Sequence, residues 1–255
     1  MKIRYALLDP TGNQTVLAES PVPVEDQPYT AKRIMASEPD AEQVGFLSAR
    51  ADGVSMRMAG GEFCGNAAMS AAALYAMDHK IAQGVVSVAV SGTPDPVDVY
   101  VCALPNGSMR GTVNMPRPVS VKEELFPDGV RYPVVRFPGI SHVILESPLS
   151  KTAAEALAPD WCRFLRSESV GLIQFDRDTE TITPLVYVPS ADTLFWENSC
   201  ASGTAALGAF LAEREGSVSL SVRQPGGSLH VEADADGAIK LTGTVRFLYR
   251  RATDI

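Results

Sequence analysis

Two cysteines stand at the same kind of junction, one in each half of the chain. Cys64 lies in Gly60-Gly61-Glu62-Phe63-Cys64-Gly65-Asn66 and leads into Ala67-Ala68-Met69-Ser70-Ala71-Ala72-Ala73-Leu74-Tyr75-Ala76-Met77. Cys200 lies in Glu197-Asn198-Ser199-Cys200-Ala201-Ser202-Gly203-Thr204 and leads into Ala205-Ala206-Leu207-Gly208-Ala209-Phe210-Leu211-Ala212. Both runs are apolar on every side, which predicts helices buried all round. The first turn of a helix carries unpaired amides and the positive end of the helix dipole, a ready site for a carboxylate. The same field predicts a thiol pKa lowered from about 8.5 towards neutrality, so that the sulfur can give and take a proton near pH 7. Two such helix starts would hold one carboxylate between two thiols. Stereoinversion at an amino-acid α-carbon needs that arrangement: one base removes the proton from one face while an acid delivers another to the opposite face.

A single cysteine ahead of an alanine-rich helix is ordinary packing, since free cysteine is among the most buried residue types. The recurrence, once per half-chain, is what argues for chemistry. Cys102 and Cys162 serve as internal comparisons, because neither is followed by Gly, Ser or Asn and a small-residue helix.

At these residues the chain resembles the diaminopimelate epimerase-like, cofactor-independent amino-acid racemases, in which a Cys-Gly-Asn and a Cys-Gly-Ser/Thr-Gly segment supply two acid/base thiols. The wording Met58-Ala59-Gly60-Gly61-Glu62-Phe63-Cys64-Gly65-Asn66-Ala67 and Phe195-Trp196-Glu197-Asn198-Ser199-Cys200 is similar to that of histidine racemases of opine-metallophore pathways. The resemblance spans most of the chain. It implies Cys64 as proton donor and Cys200 as acceptor, no cofactor and no metal. The backbone amides of Gly65, Asn66, Ser202 and Gly203, with Ala201 beside them, would hold the substrate carboxylate. Asn13, after the turn Pro10-Thr11-Gly12, resembles a substrate-contacting asparagine of the family, and Gln43 a glutamine that lines the pocket. His142 closes Pro138-Gly139-Ile140-Ser141-His142, similar to a Gly-Asn-Pro-His segment on the pocket wall. Glu62 and Glu197 are left with two readings, capping their helices or binding the substrate ammonium.

These residues need elements to position them. Alternating or β-rich runs predict strands from Ile3 to Leu7 and at Val54 to Met58, Val85 to Val90, Val97 to Cys102 and Met109 to Met115. In the second half they predict strands at Tyr132 to Phe137, His142 to Glu146, Val170 to Phe175, Thr183 to Val188, Val218 to Val222, Leu229 to Ala233 and Ile239 to Tyr249. Further helices are expected around Tyr29 to Met35 and Thr152 to Leu165. The class is α+β. The proline-punctuated Met115-Pro116-Arg117-Pro118 is the best boundary, giving domains at residues 1–117 and 118–255. The resemblance implies two similar β-rich domains, each wrapped around a central buried helix, with the active site in the interdomain cleft.

The whole-chain numbers agree with a soluble enzyme of small molecules. The 255 residues are 45% hydrophobic, enough for a real core, and a net charge of −8 argues against a nucleic-acid partner. No stretch approaches the roughly 18 apolar residues of a membrane span, and the start lacks the apolar core of a signal peptide, so a cytoplasmic protein is expected. Four cysteines without CxxC spacing suit reduced thiols. The expected partner is a free amino acid, and the expected assembly a homodimer. His79, His142 and His230 have no metal-ligand spacing, and the paired glycines make no phosphate-binding fingerprint.

The expected substrate is histidine, because the groups that would grip a second amino-acid head are missing. Ile140 replaces the asparagine of Gly-Asn-Pro-His, and Ser190-Ala191-Asp192-Thr193-Leu194-Phe195-Trp196 contains no arginine where the resemblance would place Glu-Arg-Gly. Diaminopimelate, or another neutral amino acid, is the alternative within this reaction. An isomerase of the phenazine-biosynthesis type, which lacks the thiol pair, and a non-catalytic amino-acid-binding module are alternatives of other classes.

Overall fold

The computed structural model describes residues 1–50 and 53–255. In chain order the first part holds β1 (Lys2–Pro10), β2 (Thr15–Ala18), α1 (Gln27–Ser37), β3 (Gln43–Arg50), β4 (Gly53–Met58), α2 (Gly65–Asp78), β5 (Gln83–Val90), β6 (Val97–Ala103) and β7 (Met109–Asn114). The rest holds β8 (Ser120–Leu125), β9 (Arg131–Phe137), β10 (Ile140–Leu145), α3 (Lys151–Leu165), β11 (Val170–Asp176), β12 (Thr181–Val188), β13 (Thr193–Trp196), α4 (Ala201–Glu215), β14 (Ser217–Gln224), β15 (Gly227–Asp234) and β16 (Ile239–Asp254). The fold is β-rich α+β.

The chain divides into two compact units, Met1–Asn114 with Thr242–Ile255, and Met115–Leu241. Residues 242–255 therefore lie with the first unit, where the sequence had assigned them to the second. The cause is strand pairing: β16 runs antiparallel to β1 from Pro10↔Val245 to Lys2↔Asp254, a long-range register that no local pattern announces.

In the first unit the strands follow the order β1-β2-β3-β4-β5-β6-β7-β16, and β16 pairs back onto β1, closing the ring. Two of its pairs are parallel, β2 with β3 and β4 with β5, and a helix makes each crossover. The first crossover is α1. The second is α2, which packs against β1, β2, β4, β5, β6 and β7, so the ring surrounds it. Small side chains make this possible. Every residue from Gly65 to Leu74 is buried, and Gly111 of β7 lies so close to Met69 that an added Cβ would sit 3.2 Å from its side chain.

The second unit repeats the connection order. β9 and β10 form an antiparallel pair, α3 crosses to the parallel β11, β12 returns antiparallel, and α4 crosses to the parallel β14 before β15 and the start of β16. The central helix here is α4, packed on β8, β9, β10, β11, β14 and β15. The α3 face of this sheet carries its own apolar cluster, including Trp161, Leu172 and Leu185.

Candidate active site

Both cysteines are the N-caps of the central helices. Cys64 has extended backbone angles (φ −134°, ψ 114°), and its sulfur accepts from the amide of Ala67, with N to Sγ at 3.4 Å. Cys200 has nearly the same angles (φ −117°, ψ 107°), and its sulfur accepts from the amide of Gly203 at 3.3 Å. In each turn the third helical amide serves the thiol. The first two, of Gly65 and Asn66 in one helix and Ala201 and Ser202 in the other, fall where no earlier helical carbonyl is in reach. Gly203, expected to offer its amide to a carboxylate, gives it to sulfur instead. Glycine is also needed there for space: an added Cβ would lie 2.6 Å from Ile173 Cδ1 and 3.1 Å from Cys200 Sγ.

In the first unit Asn13, Gln43 and Cys64 come together through the parallel β2–β3 pair, which sets Thr15 opposite Gln43. Gln43 Nε2 donates to Asn13 Oδ1 at 2.6 Å and to Thr15 Oγ1 at 2.8 Å, while Gln43 Oε1 accepts from the Cys64 thiol at 3.1 Å. Asn13 Nδ2 donates to Glu42 Oε2 at 2.6 Å. Thr15 and Glu42 were not singled out from the sequence. Glu62 turns back over Gly60, with Oε2 2.4 Å from where a Cβ on that glycine would sit.

In the second unit Cys200 is 3% exposed, and its amide donates to Gln224 Oε1 at 2.7 Å. Gln224 Nε2 in turn donates to Thr204 Oγ1, fixing the cap to the end of β14. Burial pushes the Cys200 thiol well above its ordinary value, and the neighbouring Glu197 carboxylate, hydrogen-bonded to the sulfur, pushes it the same way. Ser202 and the Gly203 amide pull it down without prevailing. The lowered pKa expected from the helix start is therefore overturned for Cys200. Desolvation of a thiolate together with an adjacent carboxylate outweighs the helix field.

His142 lies on β10 in a row that crosses the sheet: it pairs with Gly171, Gly171 with Val186, and Val186 with Phe195. The next row on the same face is Ile144, Ile173 and Pro184, and Ile173 touches the α4 start. The His142 ring is fully buried over Gly171, and neither ring nitrogen has a hydrogen-bond partner. Phe195, at the far end of its row, is half exposed.

A family model described as the histidine racemase CntK N-terminal domain matches residues 2–247. The chain belongs to the histidine racemase family. A histidine racemase of Fusobacterium nucleatum subsp. nucleatum is 34% identical over 243 residues, covering 91% of this chain and 90% of that protein. One of Staphylococcus aureus is 30% identical over 243 residues, covering 90% and 88%. A solved structure of a predicted epimerase from Pseudomonas aeruginosa shares the fold, with a TM-score of 0.75 over 99% of each chain at 16% identity. The chain is thus an isomerase of the amino-acid racemase class.

Within this racemase the turn that carries Cys64 is clamped from behind. Ser91 Oγ donates to the Glu62 carbonyl at 2.7 Å and accepts from the Met58 amide at 3.0 Å. Gly92 follows at φ +79°, where an added Cβ would lie 2.3 Å from the Phe63 nitrogen. Gly107 has nearly the same φ, +83°, with nothing within 4 Å. Gly107→Ala is therefore expected to show backbone strain alone, about 1 kcal/mol, whereas Gly92→Ala adds a clash with main chain and should cost roughly 2–4 kcal/mol. Urea unfolding of the two variants checks the difference. Equal losses would mean that the clamp is not tight.

Proposed function

We propose that this racemase interconverts L- and D-histidine without a cofactor, using Cys64 and Cys200 on opposite faces of the α-carbon. The observation that carries the reading is the matched pair of caps, in which each sulfur is held by the third amide of a central helix and stands next to that helix's positive end. The first-turn amides would take the substrate carboxylate, and their dipoles would stabilise the charge that develops as the α-proton leaves. Cys64 is the donor. Cys200 is the acceptor: as the thiolate it takes the α-proton while Cys64 protonates the other face.

The substrate-binding set of this proposal is Asn13, Gln43, Gly65, Asn66, His142, Glu197, Ala201 and Ser202, with Gly203 giving the turn its room and its amide to the sulfur. Reduced thiols, as the mechanism requires, fit a cytoplasmic enzyme. Histidine is favoured over diaminopimelate by the names of the curated relatives and by the β13 segment, where Leu194 and Phe195 offer apolar surface and the segment itself holds no arginine.

The test is incubation of L-histidine, a panel of other L-amino acids and LL-diaminopimelate in deuterium oxide, followed by chiral chromatography and mass spectrometry. Histidine should racemise with incorporation of one deuterium, and without added pyridoxal phosphate. Conversion of diaminopimelate with none of histidine would return the chain to the alternative epimerase reading. Exchange of no amino acid would leave the binding-module or phenazine-type readings.

A further inference from the structure

The hydrogen bonds behind Cys64 have a polarity that can be worked out from one end. An ionised carboxylate only accepts. Glu42 therefore requires Asn13 to present its NH2 group, which turns Asn13 Oδ1 towards Gln43. Gln43 must then present its own NH2, whose two hydrogens reach Asn13 Oδ1 and Thr15 Oγ1. Thr15 fits this order, because its hydroxyl donates to the Asn13 carbonyl at 3.0 Å, with Asn13 Oδ1 a second acceptor at 3.4 Å, and its lone pairs stay open to Gln43. Gln43 Oε1 is left facing Cys64, and a carbonyl oxygen can only accept, so the sulfur must be the donor.

We propose that Glu42 is a positioning residue that fixes the polarity of the Asn13–Gln43 chain and thereby holds the proton on Cys64. This rests on the reading of Cys64 as the proton donor and names what keeps it one. Once Cys64 has given up its proton, a thiolate faces a carbonyl oxygen. Relief by flipping Gln43 would force Asn13 to flip, bringing Asn13 Oδ1 against the Glu42 carboxylate. Both arrangements set electron-rich atoms together, so the network favours prompt reprotonation of the sulfur. Neither amide can tell its two ends apart by shape; the charge on Glu42 does so.

Glu42→Gln removes that constraint while keeping size, because glutamine can donate as well as accept. The chain can then invert, and Gln43 can offer an N–H to the thiolate. The experiment measures the rate of Cys64 alkylation by iodoacetamide against pH, read from the mass of the Cys64 peptide, in the wild type, Glu42→Gln and Thr15→Val. Glu62 and Arg57, the charged groups of the turn leading to Cys64, are common to all three proteins. Glu42→Gln is expected to shift the alkylation profile about one unit to lower pH, so that Cys64 reacts about tenfold faster at a fixed pH on the rising limb. Thr15→Val removes one acceptor from Gln43 but leaves Glu42 to orient Asn13, and Asn13 to orient Gln43, so it should leave the profile in place. An unmoved or oppositely moved profile in Glu42→Gln, or an equal shift in both variants, would overturn the proposal. Should Glu42→Gln behave as expected while Cys64→Ser still racemises histidine, the network would stand and the catalytic assignment would fall.

Discussion

Cys64→Ser and Cys200→Ser are each expected to lower histidine racemisation at least about 100- to 10,000-fold, the range a positioned acid or base supplies, with the fold retained. Serine nearly matches cysteine in size and can accept the same cap from Ala67 or Gly203, so structure is not what the substitution removes. It is a far weaker acid, and its alkoxide is out of reach near pH 7. A two-base enzyme makes a sharper prediction than loss of rate. With one thiol left, only the enantiomer whose α-hydrogen faces that thiol can exchange with solvent deuterium, and the two variants should choose opposite enantiomers. Exchange of both enantiomers by either variant would show that a single base serves both faces. Cys102→Ser and Cys162→Ser are the comparisons. Cys102 lies on β6 with its sulfur near its own neighbour's carbonyl, and the Cys162 thiol already donates to the Ser167 carbonyl at 3.2 Å, a bond a hydroxyl can keep. Both should racemise histidine normally.

The racemase should also lose stability in acid through His142. Burial pulls this imidazole down to about 3 from its ordinary 6.5, because nothing around the ring compensates a charge. Its neighbours are the Phe137 ring, edge-on at 6.2 Å, and Gly171. The folded protein therefore keeps the ring neutral while the unfolded chain takes up a proton. Stability from this source is complete above about pH 6.5 and declines by about 1.4 kcal/mol per unit as pH falls towards 3, which is roughly 2–3 kcal/mol by pH 4.5. His142→Leu removes the titrating group and both unpaired nitrogens at similar volume. Its urea midpoint should fall less than the wild type's between pH 7 and pH 4.5, with near-equal stability at pH 7. A wild-type midpoint no more acid-sensitive than the variant's would mean that the ring finds a partner.

The parts of this site that were legible in the sequence are those fixed by neighbours in the chain. Cysteine followed by small residues and an all-apolar run predicts a buried helix with the thiol at its start, and α2 and α4 begin there. Most strands were legible for the same reason, through their own alternation. What escaped depends on distant residues. β2 is four buried residues, Thr15–Ala18, too short to alternate, and β8 carries Lys122, Glu123 and Glu124 on an exposed edge. Because β2 was missed, so was its parallel pairing with β3. That pairing is what carries Asn13 to Gln43 and gives Glu42 its place in the network. The thiol pKa at Cys200 was misjudged for a related reason. The helix field can be read from the local sequence, but desolvation follows from how completely the rest of the unit covers the sulfur.

The return of β16 to β1 makes the first unit the earliest to be synthesised and the last that can be finished. Until Thr242–Asp254 has left the ribosome, β1 and β7 each present an unpaired edge around a helix with no polar face. At about 5–20 residues per second, the wait between β7 and β16 is on the order of ten seconds, long on the scale of strand pairing. The nascent chain thus carries two open β-edges while residues 115–241 are made, which are the surfaces that chaperones shield and that neighbouring nascent chains can join. A stop codon at position 244 would remove none of the residues of the proposed site, yet it would leave the Cys64 helix inside a ring that cannot close.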